Sequence, residues 1–461
     1  MAMRISRISQ RTTMNLTRKY QGLLDNAIWV KLAKGGATAL LIKVAAAGLS
    51  FLMFASLANT MSPSEYGRYG TGFALATILA VIGSFGMRML VLRFASIYDD
   101  KGENELLVGV LRTGYVTVLA GCGFLALMVG IIAAYWPNLE HRSYLMPAAV
   151  FTIVLGIAEY QAHAIRAFGK LTSALVPRDI FWRIGVLAIS LFVVIGALPA
   201  LTASNGLWLT ALILLLFTAA QALMEPRTRP NSLFRSSSKT ELKEWRHVAL
   251  GLWGTSVVRM AVPNLTILIL AVVLPADEVG AYFAATRISM LLTLFLMAGG
   301  MVGGPMLSRA WASGDNDQAQ SILKWTVIGL LVPTLFGFFT FAAFGDTILG
   351  FFSEDFRFGH PILLILSLGY AGSAFSGLTL QSMEIFGQER VYLKILITVN
   401  LLGLILLYPA TMLFGWFGAA TMQSGTLIGW NLACVVYLKN KLNLDTSILT
   451  LFSPKQNKIT N

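Results

Sequence analysis

The chain has 461 residues, 56% of them hydrophobic and only 12% charged, about half the charge of an ordinary soluble domain (~25%). With a mean hydropathy of +0.70 and apolar runs of about 20 residues recurring along its length, enough to cross a hydrocarbon core roughly 30 Å thick, it cannot be a large soluble globule. The net charge of +13 does not indicate nucleic-acid binding, because the basic residues lie in short loops between hydrophobic spans.

Residues 1–36 form a basic segment running from Arg4 to Lys34. It lacks the early apolar core and small-residue cleavage site of a signal peptide, so the first hydrophobic segment is expected to be retained as a helix. Twelve spans follow, at 37–60, 71–94, 108–135, 145–166, 178–199, 205–224, 248–273, 281–307, 321–345, 361–383, 391–413 and 416–437. With the N-terminus in the cytoplasm, only Arg68, Arg142 and Arg357 fall in outside loops, while Lys43, Arg88, Arg259 and Arg287 lie within spans. This positive-inside asymmetry stays clean to Lys439, Lys441, Lys455 and Lys458, which favours an even helix count and two cytoplasmic termini. Trp136, Trp208 and Trp416 mark outer span ends, and Trp29, Trp182, Trp245 and Trp325 mark inner ones, as an aromatic belt of anchors would.

The longest polar connection, RTRPNSLFRSSSKTELKEWRH at 227–247, reads as a flexible linker between two six-helix halves. The expected divisions are the segment 1–36, a lobe at 37–225, the linker at 226–247, a second lobe at 248–437 and a tail at 438–461. The halves resemble each other. MSPSEYGRYG at 61–70 aligns with LPADEVGAYF at 274–283, matching Glu65 with Glu278, Gly67 with Gly280 and Tyr69 with Tyr282. One span later DDKGENELLVGVLR aligns with ASGDNDQAQSILK, matching Gly102 with Gly314 and Arg112 with Lys324. Six spans separate the matches, so the halves are parallel repeats, a plan that places a site where they meet. Gly67 is expected to serve a tight turn.

No catalytic constellation, metal-ligand spacing or phosphate-binding loop is present, and Cys122 and Cys434, both in apolar segments, read as packing residues. The chain is therefore read as a non-enzyme without metal or cofactor. Charge inside the membrane is the remaining signal. Arg259 lies mid-span, four residues before Pro263 and beside Asn264; a proline there frees a backbone carbonyl, and a hydrated cavity is the expected surrounding. Arg287, Arg88 and Lys43 lie nearer span ends, where snorkelling competes with a site role. Glu159 is the one comparably deep acid, on a helical face with His163 and Arg166, and either a structural ion pair or a coupling site fits it. Arg178, Asp179 and Arg183 are expected at a basic mouth. Four cations to one acid favour an anionic ligand, a phosphate or diphosphate.

With Asn26, Trp29 and Lys31 before the first span, LANTMSPSEYG at 57–67 after it, and the twelve-span layout with its central break, the chain resembles the Wzx-type polysaccharide flippases of the multidrug/oligosaccharidyl-lipid/polysaccharide exporter superfamily. The resemblance covers essentially the whole chain. It implies an all-α integral membrane protein, two lobes around a central cationic cavity in a bacterial inner membrane. It also implies transport of an undecaprenyl-diphosphate-linked oligosaccharide, an O-antigen or exopolysaccharide repeat unit, to the periplasmic leaflet. The lumen role carries first to Arg259, then to Arg287, Arg88 and Lys43. Glu159 is the candidate for proton or sodium coupling, and glycan polymerases and membrane lipids are the candidate partners. A drug or cation antiporter of the same superfamily, and a membrane-embedded glycan polymerase or ligase, are the competing readings.

Overall fold

The computed structural model describes residues 38–135 and 142–451. The expectations placed on residues 1–36 (Asn26, Trp29 and Lys31 among them), on Trp136, and on Lys455 and Lys458 lie outside the described residues.

The described residues form helices only. They are α1 (Thr38–Asn59), α2 (Pro63–Gly83, continued after a 47° bend by Met87–Lys101), α3 (Asn104–Tyr135), α4 (Leu145–Ala167), α5 (171–194) and α6 (Ala203–Met224). The second half has α7 (Leu242–Val273), α8 (Ala276–Ala312), α9 (Asn316–Gly350), α10 (Glu354–Ser376), and α11 and α12, which share Glu389–Leu442 and part at Gly415. Nine of the described helices are long and apolar enough to cross a membrane, and the bent pair makes ten. Parting the 54-residue helix at Gly415 and counting 171–194 bring the number to the expected twelve.

The repeat is visible in the backbone. Eight glycines among the described residues have positive φ, and six form matched pairs at equivalent ends of the two halves: Gly102 with Gly314, Gly169 with Gly387, and Gly196 with Gly415. At Gly102 and Gly314 the next residue closes the helix end in the same way, Glu103 donating to Tyr98 and Asp315 to Ala310, a left-handed cap that glycine adopts without strain. Side chains repeat too. The Tyr69 hydroxyl meets Thr210 Oγ1 at 3.1 Å and the Tyr282 hydroxyl donates to Gln423 Oε1 at 3.0 Å, each across 141 residues and with each tyrosine fully buried.

The two matched turns after α1 and α7 pack against each other and form the seam between the lobes. Here Asn59 Nδ2 donates to the Phe351 carbonyl at 2.7 Å, and Tyr66 packs on Phe283 and Phe356, both at 5.6 Å. The tight turn expected for Gly67 from the sequence is not what the structure shows. The residue lies within the first turns of α2, which Ser62 caps and Pro63 opens. A Cβ on it would stand 1.7 Å from the Ala276 carbonyl oxygen, so glycine is needed for the approach of two helices.

Three other expectations change. The fifth helix starts at Leu171, seven residues before the expected boundary, directly after Gly169 closes α4; Pro177 lies within it and does not begin it. The linker is docked. Arg112 donates to the carbonyls of Leu233 and Ser236 and to Ser238 Oγ, Lys239 N donates to the Glu105 carbonyl, and α7 begins at Leu242. Trp245 and Trp182 are buried, and so are not belt anchors. Trp245 Nε1 donates to Tyr98 Oη at 3.0 Å, which satisfies the indole inside the protein. Cys122 and Cys434 are buried free thiols.

Candidate functional site

The charged centre of the molecule is built on α5. Proline at 177 contributes no N–H to the helical ladder, and at this point the helix widens into a π-turn over Pro177–Phe181, a distortion frequent at functional sites. The turn carries Arg178 and Asp179. Asp179 is only 3% exposed, so its charge requires partners, and it has three. Lys43 Nζ of α1 lies 2.6 Å away, Arg178 Nη1 2.9 Å and Arg183 Nη1 3.9 Å. Arg183 also donates to the Asp179 carbonyl.

α4 supplies the second carboxylate. Glu159 Oε1 accepts from Arg178 Nη2, and Glu159 Oε2 lies 3.5 Å from Arg88 Nη1 of α2. His163, one turn on, is fixed by Nδ1 against the Glu159 carbonyl at 2.7 Å. Arg178 therefore bridges the two carboxylates, and one network ties α1, α2, α4 and α5 together.

The other lobe enters through Arg287 of α8. Its guanidinium lies over the rings of Phe283, Phe54 and Phe73 at 4.4, 4.9 and 5.1 Å, a cation–π cage made by both lobes. Two cavities, of 180 and 200 Å³, adjoin it. Both are lined by Phe54, Asp179, Arg183 and Arg287; the first adds Glu159, Arg178 and Trp182, and the second adds Lys43. Arg183 stacks on Trp182 at 4.8 Å. Nε of Arg183 and Nε of Arg287 are both buried and find no hydrogen-bond partner among the described residues.

Of the residues singled out from sequence, Lys43, Arg88, Glu159 and Arg287 come together around this centre. Arg259 does not. It is exposed on α7 and lines neither cavity. Asn264, beside the α7 proline, donates to the Met260 carbonyl at 2.8 Å. The expected balance of four cations to one acid also changes, because Asp179 is as deeply placed as Glu159. Lys43, Arg88, Arg178, Arg183 and Arg287 face two carboxylates, which leaves three positive charges unmatched within this group. Lys43 and Arg88 are held by ion pairs and do not snorkel. Sequence reasoning missed Arg178, Asp179 and Arg183 as interior groups, and the available signal was the proline inside a continuous helical stretch. A cluster with surplus guanidinium charge, free Nε donors and aromatic walls is chemically suited to an anion with several acceptor oxygens.

Residues 32–311 match the family described as polysaccharide biosynthesis protein. The probable low-salt glycan biosynthesis flippase Agl15 of Haloferax volcanii is 22% identical over 398 residues, 84% of this chain and 79% of that protein. Among solved structures, the inward-facing conformation of a multidrug resistance MATE family transporter of the MOP superfamily superposes with a TM-score of 0.71 at 12% identity, covering 86% of this chain and 94% of that one. The outward-facing conformation of such a transporter gives 0.61 at 13% identity, with coverages of 89% and 96%. A MOP superfamily transporter from Pyrococcus furiosus, described by the reverse polarity of its binding pocket, gives 0.60 at 13% identity, with coverages of 92% and 97%. At these identities the structures share the fold.

Proposed function

The chain belongs to the polysaccharide biosynthesis protein family, and from that premise we propose that it is a flippase for lipid-linked glycans. The proposed cargo is an undecaprenyl-diphosphate-linked oligosaccharide, moved from the cytoplasmic to the periplasmic leaflet of a bacterial inner membrane. The observation that carries the reading is Arg287, a cation of one lobe inserted into the charge cluster of the other and caged by rings from both. An anion bound there touches both lobes, so its arrival and departure can bias the rocking of one lobe against the other. The relative named as a glycan flippase supports the cargo class, and the better superposition on the inward-facing transporter supports a state open to the cytoplasm. In that frame the seam faces the periplasm and the linker the cytoplasm. Arg287 and Arg183, with their free Nε donors, take the diphosphate, while Arg178 and Lys43 hold the surrounding field. Glu159 has both oxygens engaged by guanidinium groups, which suits a structural counter-ion better than a coupling site. Export of a diphosphate from a negative cytoplasm gains about 2.3 kcal/mol per charge per 100 mV.

The test is genetic and chemical. Deletion of the gene is expected to leave lipid-linked oligosaccharide in the inner leaflet, to be cleared by the native chain and not by Arg287→Ala. The absence of accumulation, with ethidium efflux lost instead, would replace the flippase reading with a drug antiporter.

A further inference from the structure

The bend in α2 packs on α3 of its own lobe at Gly121 and is held from its other side by α7. Phe85 (φ 43°) and Gly86 (φ 75°) are consecutive left-handed residues at the break. Glycine adopts that conformation freely, whereas phenylalanine keeps it only where the surroundings impose it. The surroundings here come from α3 and, through Trp253 and Ala249, from α7. Trp253 stacks on Phe85 with centroids 5.7 Å apart and planes 29° apart. Its indole Nε1 donates to the Ile82 carbonyl at 2.9 Å, which also accepts from Phe85 N at 3.2 Å in place of its regular helical partner where α2 turns. Gly86 lies so close to α7 that a Cβ on it would stand 2.2 Å from the Ala249 carbonyl oxygen. Two residues past Gly86 is Arg88, whose guanidinium reaches Glu159 in the charge cluster. The direction in which Arg88 leaves the backbone is therefore set by the break, which is packed on Gly121 of α3 and on Ala249 and Trp253 of α7. α7 itself packs on α2 and also on the shared helix of α11 and α12, so it touches both lobes.

We propose that Trp253 is a positioning residue for Arg88: it holds the break in α2, and movement of α7 during the transport cycle is passed through it to the Arg88–Glu159 pair. Released from Trp253, α2 relaxes toward a straighter helix and relieves Phe85. Arg88 then leaves Glu159, and the cluster loses one of its fixed charges. A strained element held by contacts from a neighbouring helix has the properties of a two-state switch. The consequence for transport rests on the flippase reading, and the mechanical part does not.

The experiment uses the full chain in lipid nanodiscs, with spin labels at Ile97→Cys and Leu212→Cys. Ile97 lies on the second half of α2. Leu212 lies on α6, two residues from Thr210, which is bonded to Tyr69 in the first half of α2. Both labelled positions are exposed, and the native cysteines are buried. One narrow distance is expected for the native sequence and for Arg88→Gln, and a shifted or broadened distribution for Trp253→Phe, which keeps a ring over Phe85 but loses the donor, and for Trp253→Leu. An unchanged distribution in Trp253→Leu overturns the proposal whatever transport does. In a flipping assay Trp253→Phe is expected to slow transport roughly fivefold, the scale of one lost hydrogen bond, and to add nothing in an Arg88→Gln background. Equal slowing in both backgrounds overturns the link to Arg88. A native chain that flips nothing removes the flippase reading, and the distances still decide the hinge.

Discussion

Gly67 and Gly280, equivalent positions in the two halves, face each other across the seam. A Cβ on Gly67 would stand 2.9 Å from the Gly280 nitrogen, and one on Gly280 3.2 Å from the Gly67 nitrogen. The obstacles at Gly67 are backbone atoms, so no rotamer change relieves them. Gly67→Ala is expected to push the lobes apart at the seam at a cost of about 1–3 kcal/mol, the usual range for overpacking. Gly102→Ala is the control. That position has φ +70° and open space around it, so its cost is mainly the left-handed conformation, on the order of 1 kcal/mol. Thermal unfolding in detergent should rank Gly67→Ala below Gly102→Ala, and the reverse ranking would mean that the seam yields easily.

That relationship shows how far the sequence could be read. The Glu–Gly–Tyr match of the two turns was legible because a repeat preserves residue types at a fixed offset. That the two turns pack on each other was not, since nothing in a linear match says where the repeat axis runs. The same distinction separates the site residues. Hydropathy gives the depth of a charge but not the direction in which it points, so depth ranked Arg259 ahead of Arg287, and only packing places Arg287 in the cavities. Asp179 was hidden for a different reason. The expected span began at residue 178, which put Arg178 and Asp179 at its mouth, whereas Gly169 had already closed α4 and the helix was under way from Leu171.

The repeated tyrosine bonds allow an independent check of the symmetry. Tyr69→Phe and Tyr282→Phe each remove one buried hydrogen bond, from Thr210 and Gln423 respectively. Each is expected to cost about 1 kcal/mol, and Tyr282→Phe somewhat more because it strands the Gln423 carbonyl oxygen. The sites lie in different lobes and share no partner, so the double variant should show the sum. A coupling above about 0.5 kcal/mol in unfolding measurements would mean that the lobes do not behave as separate packing units.

Asp179 is the counter-ion on which the charge cluster depends. Replacing it with Asn leaves Lys43, Arg178 and Arg183 facing one another with only Glu159 nearby, and removing one partner of a buried ion pair costs about 3–5 kcal/mol. Removing the charge at both positions, as in Lys43→Met with Asp179→Leu, takes away one cation together with the acid. That double variant is expected to recover part of the loss. Unfolding temperatures of the single and double variants decide the matter. A double variant no better than Asp179→Asn would show that Lys43 is not the principal partner of the carboxylate, despite its 2.6 Å contact.

The linker prediction separates docking from flexibility. Arg112 makes most of the side-chain hydrogen bonds that hold the segment after α6 against α3, with contacts to Leu233 at 2.8 Å, to Ser236 at 2.8 Å and to Ser238 at 2.9 Å, beside Ser237 Oγ and Lys239 N donating to Glu105. The neighbouring Lys239–Glu105 pair is solvent-exposed and worth little by itself. Arg112→Ala should therefore free the segment without unfolding either lobe, and Glu105→Gln should barely change it. The segment carries Arg227, Arg229, Arg235 and Lys239, so limited trypsin digestion reads its exposure directly. Cleavage that is slow in the native chain is expected to become several-fold faster in Arg112→Ala, giving two fragments that correspond to the two halves. Rapid cleavage of the native chain at the same sites would mean that the segment spends much of its time undocked, and would restore the flexible connection inferred from its composition.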